Sequence, residues 1–131
     1  MLDRFRVTVS AVGRQFKGFG LVHETVGPPG VAWEFTGQAV ELMRETDHLY
    51  GESHYQGEIN TYVNQLVQAQ RFAPFGDRAG LPASTLVDGD TLPPIEQCLS
   101  TPFQCIPERV GLAATAWAIF AGPDFNPLGL P

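Results

Sequence analysis

The sequence is short of basic residues, and this shortage excludes two classes of partner. Lys and Arg together number 8 against 14 Asp and Glu, which gives the 131 residues a formal net charge of -6. Proteins that bind phosphate backbones or anionic lipid surfaces do so with clustered Lys and Arg. We therefore expect neither nucleic acid nor a membrane surface as a partner of this chain.

Long apolar runs are also absent. No run reaches the roughly 18 residues that a membrane-spanning helix needs. The first six residues, Met1 to Arg6, are not followed by the apolar segment of a signal peptide. The sequence therefore predicts no membrane span and no export signal in this chain, and it assigns no compartment.

Only two cysteines are present, Cys98 and Cys105, on either side of Pro102. A turn around Pro102 would bring them close enough for a disulfide, and a pair of free thiols is an equally good interpretation. Two cysteines are too few to define an oxidised framework, and no histidine lies near them to complete the four ligands of a zinc site. We therefore expect no metal and no cofactor.

Residues 1–29 are predicted to form a β-hairpin and a turn. Apolar and polar residues alternate from Phe5 to Val9, and a second run from Gln15 to Leu21 follows a turn at Gly13. A helix is the alternative, since apolar residues also recur at helical spacing. These residues are Leu2, Phe5, Val9, Val12 and Phe16. The pair Pro28-Pro29 ends either element, because proline lacks the backbone N–H donor.

Residues 30–72 are predicted to form a helical hairpin. A helical pattern from Phe35 to about Leu49 places Glu41 toward solvent and ends at Gly51. The segment Ser53 to Gln56 has the form of a capping box and predicts the start of a second helix, which continues to about Phe72. Two helices joined by a short loop form an antiparallel αα-hairpin.

The remaining residues are predicted to form a long loop, a buried helix and a tail. Residues 73–107 are rich in Gly and Pro, yet they carry apolar residues that favour an ordered loop lying across one end of the helices. Residues 108–122 are apolar nearly all round, as in a helix buried on every side. The helical hairpin and the loop offer too little surface to enclose this helix. We therefore expect a missing neighbour to cover it. Residues 123–131 are predicted to form a tail.

The order of these segments resembles the carboxy-terminal part of (α/α)6-toroid proteins related to glycoside hydrolases. The matching segments are Gly30 to Gln38, Gln68 to Gln70, Gly80 to Ser84, Gly111 to Ala121 and Asn126 to Leu128. The resemblance covers about Gly18 to Leu128 and implies a mainly α fold, a partial toroid with a short N-terminal β-hairpin. An average helix takes about 11 residues, so this chain has room for only part of a toroid. It would need the missing toroid helices or self-association.

The function implied by the resemblance is that of a carbohydrate-active enzyme fragment, which binds or cleaves a glycan at the open end of the toroid. Glycoside cleavage usually needs two carboxyl groups across the scissile bond. Glu34 is the first candidate, because it lies at a helix start that favours a carboxylate, and Trp33 beside it offers a flat face for a sugar ring. The alternative is that Glu34 only serves the helix end while Trp33 packs in the core.

The second catalytic candidate is Asp88, in the long loop. Asp90, His23 and Gln38 are candidates for substrate binding around the same rim. An Asx turn is the alternative interpretation of Asp88 and Asp90, and His23 is equally well explained as an exposed side chain. The alternative function is a non-catalytic helical module that binds a glycan or another protein.

Overall fold

The structure, a computed structural model, describes residues 2–20, 30–74, 77–86, 98–100, 105–107 and 110–122. It begins with a 3₁₀ turn (Leu2–Phe5), strands β1 (Arg6–Ala11), β2 (Arg14–Phe19) and β3 (Gly30–Ala32), and helices α1 (Trp33–Tyr50) and α2 (Gln56–Phe72). Strands β4 (Ser84–Leu86), β5 (Cys98–Ser100) and β6 (Cys105–Pro107) and helix α3 (Leu112–Ala121) follow. The strands pair antiparallel as β1-β2, β3-β4 and β5-β6.

The described fold is therefore mixed rather than mainly α. Three of the strands, β4 to β6, lie within residues 73–107, which were predicted to form a loop. Each of these strands is only three residues long, too short for its alternating pattern to be recognised in the sequence. The prediction of a continuous loop is wrong for these segments.

The predicted N-terminal β-hairpin is confirmed. Strand β1 pairs with β2 in a register that places Val9 opposite Phe16. The two turn residues, Val12 and Gly13, both have positive φ angles of 47° and 72°, as a two-residue type I′ turn requires. The helical alternative is wrong, because the alternating burial of β1 places Val9 and Ala11 in the core.

Helices α1 and α2 match the two predicted helices, but the predicted capping box is wrong. Helix α1 ends at Gly51, whose φ of 64° is the left-handed conformation of a C-cap. At the start of α2, the Tyr55 N–H donates to the Asp47 carboxylate, with N–O distances of 3.0 and 3.1 Å. No side chain of the predicted box caps the helix. A carboxylate from the end of α1 therefore organises the turn into α2.

The main core lies between the hairpin, α1 and α2. Its largest fully buried side chains include Phe16, Trp33 and Met43. Thr36 joins three elements, since its hydroxyl accepts the Phe19 N–H at 3.0 Å and lies 3.0 Å from the Ala32 carbonyl, to which it donates. The start of α1 is thereby held against β2 and β3.

Helix α3 packs against α1 but is not buried on every side. A Cβ added to Gly37 would lie 2.8 Å from the Trp117 Cβ, so the two helices touch closely there. Trp117 itself is half-buried, whereas Leu112 is 88% exposed and Ile119 is 62% exposed. The prediction of a fully buried helix is wrong for the described residues. Ala113, predicted to lie in the core, is exposed as well.

None of the helices in the described part of the chain combines the length and the apolar content needed to cross a membrane.

Candidate functional site

The start of α1 is fixed by strand β4, which reaches it from the second half of the chain. Strands β3 and β4 pair so that Ala32 lies opposite Ser84. The backbone N–H of Trp33 donates to the Ala83 carbonyl at 3.1 Å, and its indole N–H donates to the Thr85 hydroxyl at 2.8 Å. The described residues just before and within β4 thus lie against the first turn of α1.

Trp33 is not a wall of any sugar site in this structure. Its side chain is 0% exposed and packs edge-on against Phe16, with the ring centroids 6.1 Å apart. Stacking on a sugar requires an open aromatic face, and this one is covered by the core. The prediction of substrate binding by Trp33 is therefore wrong, and the alternative, a Trp33 packed in the core, is confirmed.

Glu34 and Gln38 form a polar pair at the first turn of α1. The two side chains are half-buried, and the Gln38 amide donates to the Glu34 carboxylate with an N–O distance of 3.1 Å. Their separation of four residues places them on one helix face. The N-terminal end of a helix also favours an acidic side chain at this position. The carboxylate is thus held in one orientation and keeps further acceptor positions.

Glu41 extends this polar face by one more turn. It follows Glu34 by seven residues, which places it on the same side about 10.5 Å further along the axis. Glu41 is only 7% exposed, and its carboxylate lies 2.7 Å from the Arg44 guanidinium. The prediction that Glu41 faces solvent is wrong. The spacing Glu34, Gln38, Glu41 was the available signal that these residues share one face.

A small apolar cleft opens next to this polar face. We call it the phenylalanine cleft. It is lined by Phe5, Phe19, Gly20, Phe35, Gln38, Ala39 and Leu42. Its volume is ≈ 220 Å³, whereas sites for drug-sized ligands begin near ~300 Å³. The cleft is therefore suited only to a small group. Gln38 is the polar residue that connects it to Glu34.

Three of the predicted site residues, His23, Asp88 and Asp90, lie outside the described residues. Strand β4 ends at Leu86, which pairs with Gly30 at the end of β3 farther from Glu34. The joint site of Glu34 and Asp88 stays a prediction.

The two cysteines occupy diagonal positions on the β5-β6 pair. In its register, Cys98 lies opposite Pro107 and Ser100 lies opposite Cys105. Diagonal positions are about 7–8 Å apart between α carbons, which exceeds the ~7 Å beyond which a disulfide requires backbone movement. The proposed bond between Cys98 and Cys105 therefore stays a prediction.

The side chains in the described ranges form no group of three or more potential metal ligands among His, Cys, Asp and Glu. At the start of α1 they bring together the carboxylate and amide of Glu34 and Gln38 and the neighbouring aromatic rings. Comparisons of the chain with models of protein families, with characterised proteins and with solved structures give no significant match.

Proposed function

We propose that this chain is part of a carbohydrate-active protein of the glycoside hydrolase-like toroid type, and that it binds a glycan at the N-terminal end of α1. The observation that carries the proposal is the Glu34–Gln38 hydrogen bond at the edge of the phenylalanine cleft. A sugar ring has apolar C–H faces and a rim of hydroxyl groups. A small apolar cleft with a few fixed polar groups complements both.

In the proposed complex, Phe35 contacts a face of the sugar ring while Gln38 and Glu34 bind its hydroxyl groups. The Gln38 amide supplies a donor and an acceptor, and the Glu34 carboxylate supplies acceptors only. Because these two side chains already bond to each other, part of the conformational entropy that sugar binding would cost is already lost.

The catalytic form of the proposal assigns acid or base chemistry to Glu34. Cleavage of a glycosidic bond needs a second carboxyl group, and the proposed one is Asp88. Its support is its place in the sequence: Asp88 follows β4 by two residues, and the first residue of β4, Ser84, pairs with Ala32 beside the start of α1. Glu41 is a weaker candidate, because it is nearly buried and paired with Arg44.

The toroid itself is supported by two features of the helices. Helices α1 and α2 pack together across a short connection, as consecutive toroid helices do, and α3 packs on α1. Helix α3 carries no charged residue, yet Leu112 and Ile119 are largely exposed. An apolar surface of this kind favours association with further toroid helices or with a second copy. It also supports the alternative function, a non-catalytic module that binds a glycan or a protein.

The proposal is tested by glycan binding and turnover with the full chain and two matched variants. Glu34→Gln replaces the carboxylate with an amide of the same shape, and Glu52→Gln makes the same change at an exposed position. For a catalytic Glu34, we expect Glu34→Gln to abolish turnover while retaining glycan affinity, with no effect of Glu52→Gln.

The other results separate the alternatives. The non-catalytic module would be supported if the wild type binds a glycan without turnover and Gln38→Ala loses this binding. Full activity in Glu34→Gln would end the catalytic assignment. Failure of the wild type to bind any sugar on a broad glycan array would overturn the proposed function.

A further inference from the structure

A second cleft lies beside the C-terminal half of α1, and the proposed site does not use it. We call it the Arg6 cleft. It is lined by Asp3, Arg6, Leu42, Met43, Thr46, His54, Tyr55 and Glu58. These residues come from the 3₁₀ turn, β1, both helices of the hairpin and the connection between them. With a volume of ≈ 350 Å³, this cleft is larger than the phenylalanine cleft and much richer in polar groups.

Arg6 organises the polar wall of this cleft. Its Nε lies 3.0 Å from the Asp3 carboxylate, and its Nη2 donates to the Glu58 carboxylate at 2.5 Å. The hydrogen bond with Glu58 is also the main cause that raises the pKa of Arg6 above its ordinary value, so the guanidinium stays charged. Two carboxylates and one guanidinium give the cluster a formal charge of −2 + 1 = −1. The Arg6 guanidinium is thus paired with both carboxylates, of which Glu58 is the less exposed.

The rest of the cleft combines apolar and hydroxyl-binding surface. Leu42 and Met43 supply its apolar part, while the Thr46 hydroxyl and the His54 ring lie among its polar groups. Thr46 donates its proton to the Leu42 carbonyl at 2.7 Å, so its oxygen offers acceptor positions. The net negative charge disfavours phosphate and carboxylate ligands. A neutral ring with several hydroxyl groups is compatible with this chemistry.

The two clefts adjoin each other along α1. Leu42, which is 55% exposed, lines both of them, and their neighbouring lining residues Phe5 and Arg6 are consecutive in the chain. On α1 the combined lining runs from Phe35 to Thr46, a rise of about 17 Å at 1.5 Å per residue. A surface of this length is longer than one sugar ring.

We propose that the phenylalanine cleft and the Arg6 cleft form one groove that binds at least two linked sugar units across Leu42, with the Arg6 cleft as a second subsite. The inference rests on the proposed function, since it takes the first subsite to be the glycan site beside Gln38. It adds a minimum length of the ligand and a specific set of hydroxyl-binding groups, Asp3, Arg6 and Glu58.

The experiment measures binding as a function of ligand length, using the full ¹⁵N-labelled chain. The probes are glucose, cellobiose and cellotriose, and in parallel N-acetylglucosamine and its β-1,4-linked dimer and trimer. Filling a second linked subsite raises affinity without any change at the first. We expect the trimer of the bound series to bind about tenfold or more tightly than its monomer. The trimer should also shift the amide signals of both Gln38 and Thr46.

The variants identify the second subsite. Arg6→Ala should bring the ratio of trimer affinity to monomer affinity close to one. Arg4→Ala removes the same charge from an exposed position that does not line the cleft, and it should keep the wild-type ratio. His54→Ala changes an exposed position in the connection between the helices and should also lower the ratio of trimer affinity to monomer affinity. It therefore tests the second subsite even if the Arg6 variant does not fold.

The results separate the two proposals. Equal affinities for monomer and trimer, with shifts confined to the surroundings of Gln38, would overturn the second subsite and leave the proposed function standing. Equal effects of Arg6→Ala and Arg4→Ala would also overturn it. Absence of binding by both sugar series would count against both proposals.

Discussion

Trp33 and Thr85 are 52 residues apart in the chain and are joined by a 2.8 Å hydrogen bond between two fully buried side chains. The bond connects the first residue of α1 to the middle of β4. Because Glu34 is the next residue of the helix, the direction in which its carboxylate leaves the backbone depends on this connection. The buried tryptophan therefore supports the candidate site without contacting a ligand.

Thr85→Val should destabilise the protein by about 1–3 kcal/mol, because the isosteric change leaves the Trp33 indole N–H buried without its acceptor. The free energy of unfolding, measured by urea denaturation, checks this. Thr8→Val, at an exposed position of β1, is the matched control and should change stability by less than ~0.5 kcal/mol. Similar effects of the two substitutions would show that the buried bond contributes nothing specific.

Gly37→Ala tests the contact between α1 and α3. The added Cβ would lie 2.8 Å from the Trp117 Cβ and 3.1 Å from the Trp117 backbone, so the helices would have to move apart. We expect a loss of about 1–3 kcal/mol of stability, as for other overpacked sites.

The matched control for this test is Gly57→Ala in α2, where nothing lies within 4 Å of the added Cβ. There, alanine should be neutral or stabilising by up to ~1 kcal/mol, because it favours a helix over glycine. If Gly37→Ala changes the stability by the same amount as Gly57→Ala, the close approach of α1 and α3 does not occur.

Elements specified by local sequence could be predicted, and those specified by distant partners could not. The alternating pattern around the Val12-Gly13 turn identifies the hairpin, and the helical period identifies α1 and α2. The burial of Trp33 depends on Thr85, which no local pattern reveals. The hydrogen bond that holds the turn into α2 likewise comes from Asp47, eight residues before its partner Tyr55.

Helix α3 shows a different limit of sequence reasoning. Its composition predicts that every side is apolar, which is correct, but composition does not identify the surface that covers each side. In the described chain, α1 covers the side that includes Ala114, while Leu112 and Ile119 are largely exposed. At the candidate site, Glu34 was predicted from its place at a helix start and Gln38 from the resemblance, whereas the burial of Glu41 follows from tertiary packing.

Tyr62→Phe should make the protein less sensitive to alkaline pH. Burial raises the pKa of Tyr62 above its usual value, in opposition to the nearby positive charge of Arg6. Between the unfolded and folded pKa values, the folded chain keeps a proton that the unfolded chain has lost. Stability is therefore lost as pH rises above about 10. Unfolding free energies between about pH 8 and pH 11 should decline less steeply in this variant.

Tyr50→Phe provides the control for the alkaline experiment, because Tyr50 is exposed at the end of α1. It should keep the wild-type decline. If Tyr62→Phe and Tyr50→Phe give the same curve as the wild type, ionisation of Tyr62 does not oppose folding, and its assignment to the core near Arg6 is wrong.

Asp77 is expected to have the opposite effect on the pH dependence of stability, with a loss at acid pH. Its carboxylate accepts the backbone N–H groups of Gly80 and Ala79, each at 2.8 Å, and these bonds lower its pKa below the usual value. The turn also holds Arg78 at a positive φ of 65°. A lowered folded pKa gives stability that is present above the unfolded pKa, about 4, and is lost as pH falls through the folded pKa.

Asp77→Ala should therefore be less stable than the wild type near neutral pH, and the difference should shrink as the pH falls below about 4. Asp77→Asn is the matched variant, because it keeps an oxygen acceptor but has no carboxylate to titrate. It should retain part of the neutral-pH stability and lose the acid dependence that belongs to Asp77. Urea midpoints of the three proteins at about pH 6 and pH 2.5 supply the comparison. If the urea midpoints of wild type and Asp77→Ala differ by the same amount at both pH values, the Asp77 charge does not stabilise the turn that leads through Gly80 to β4.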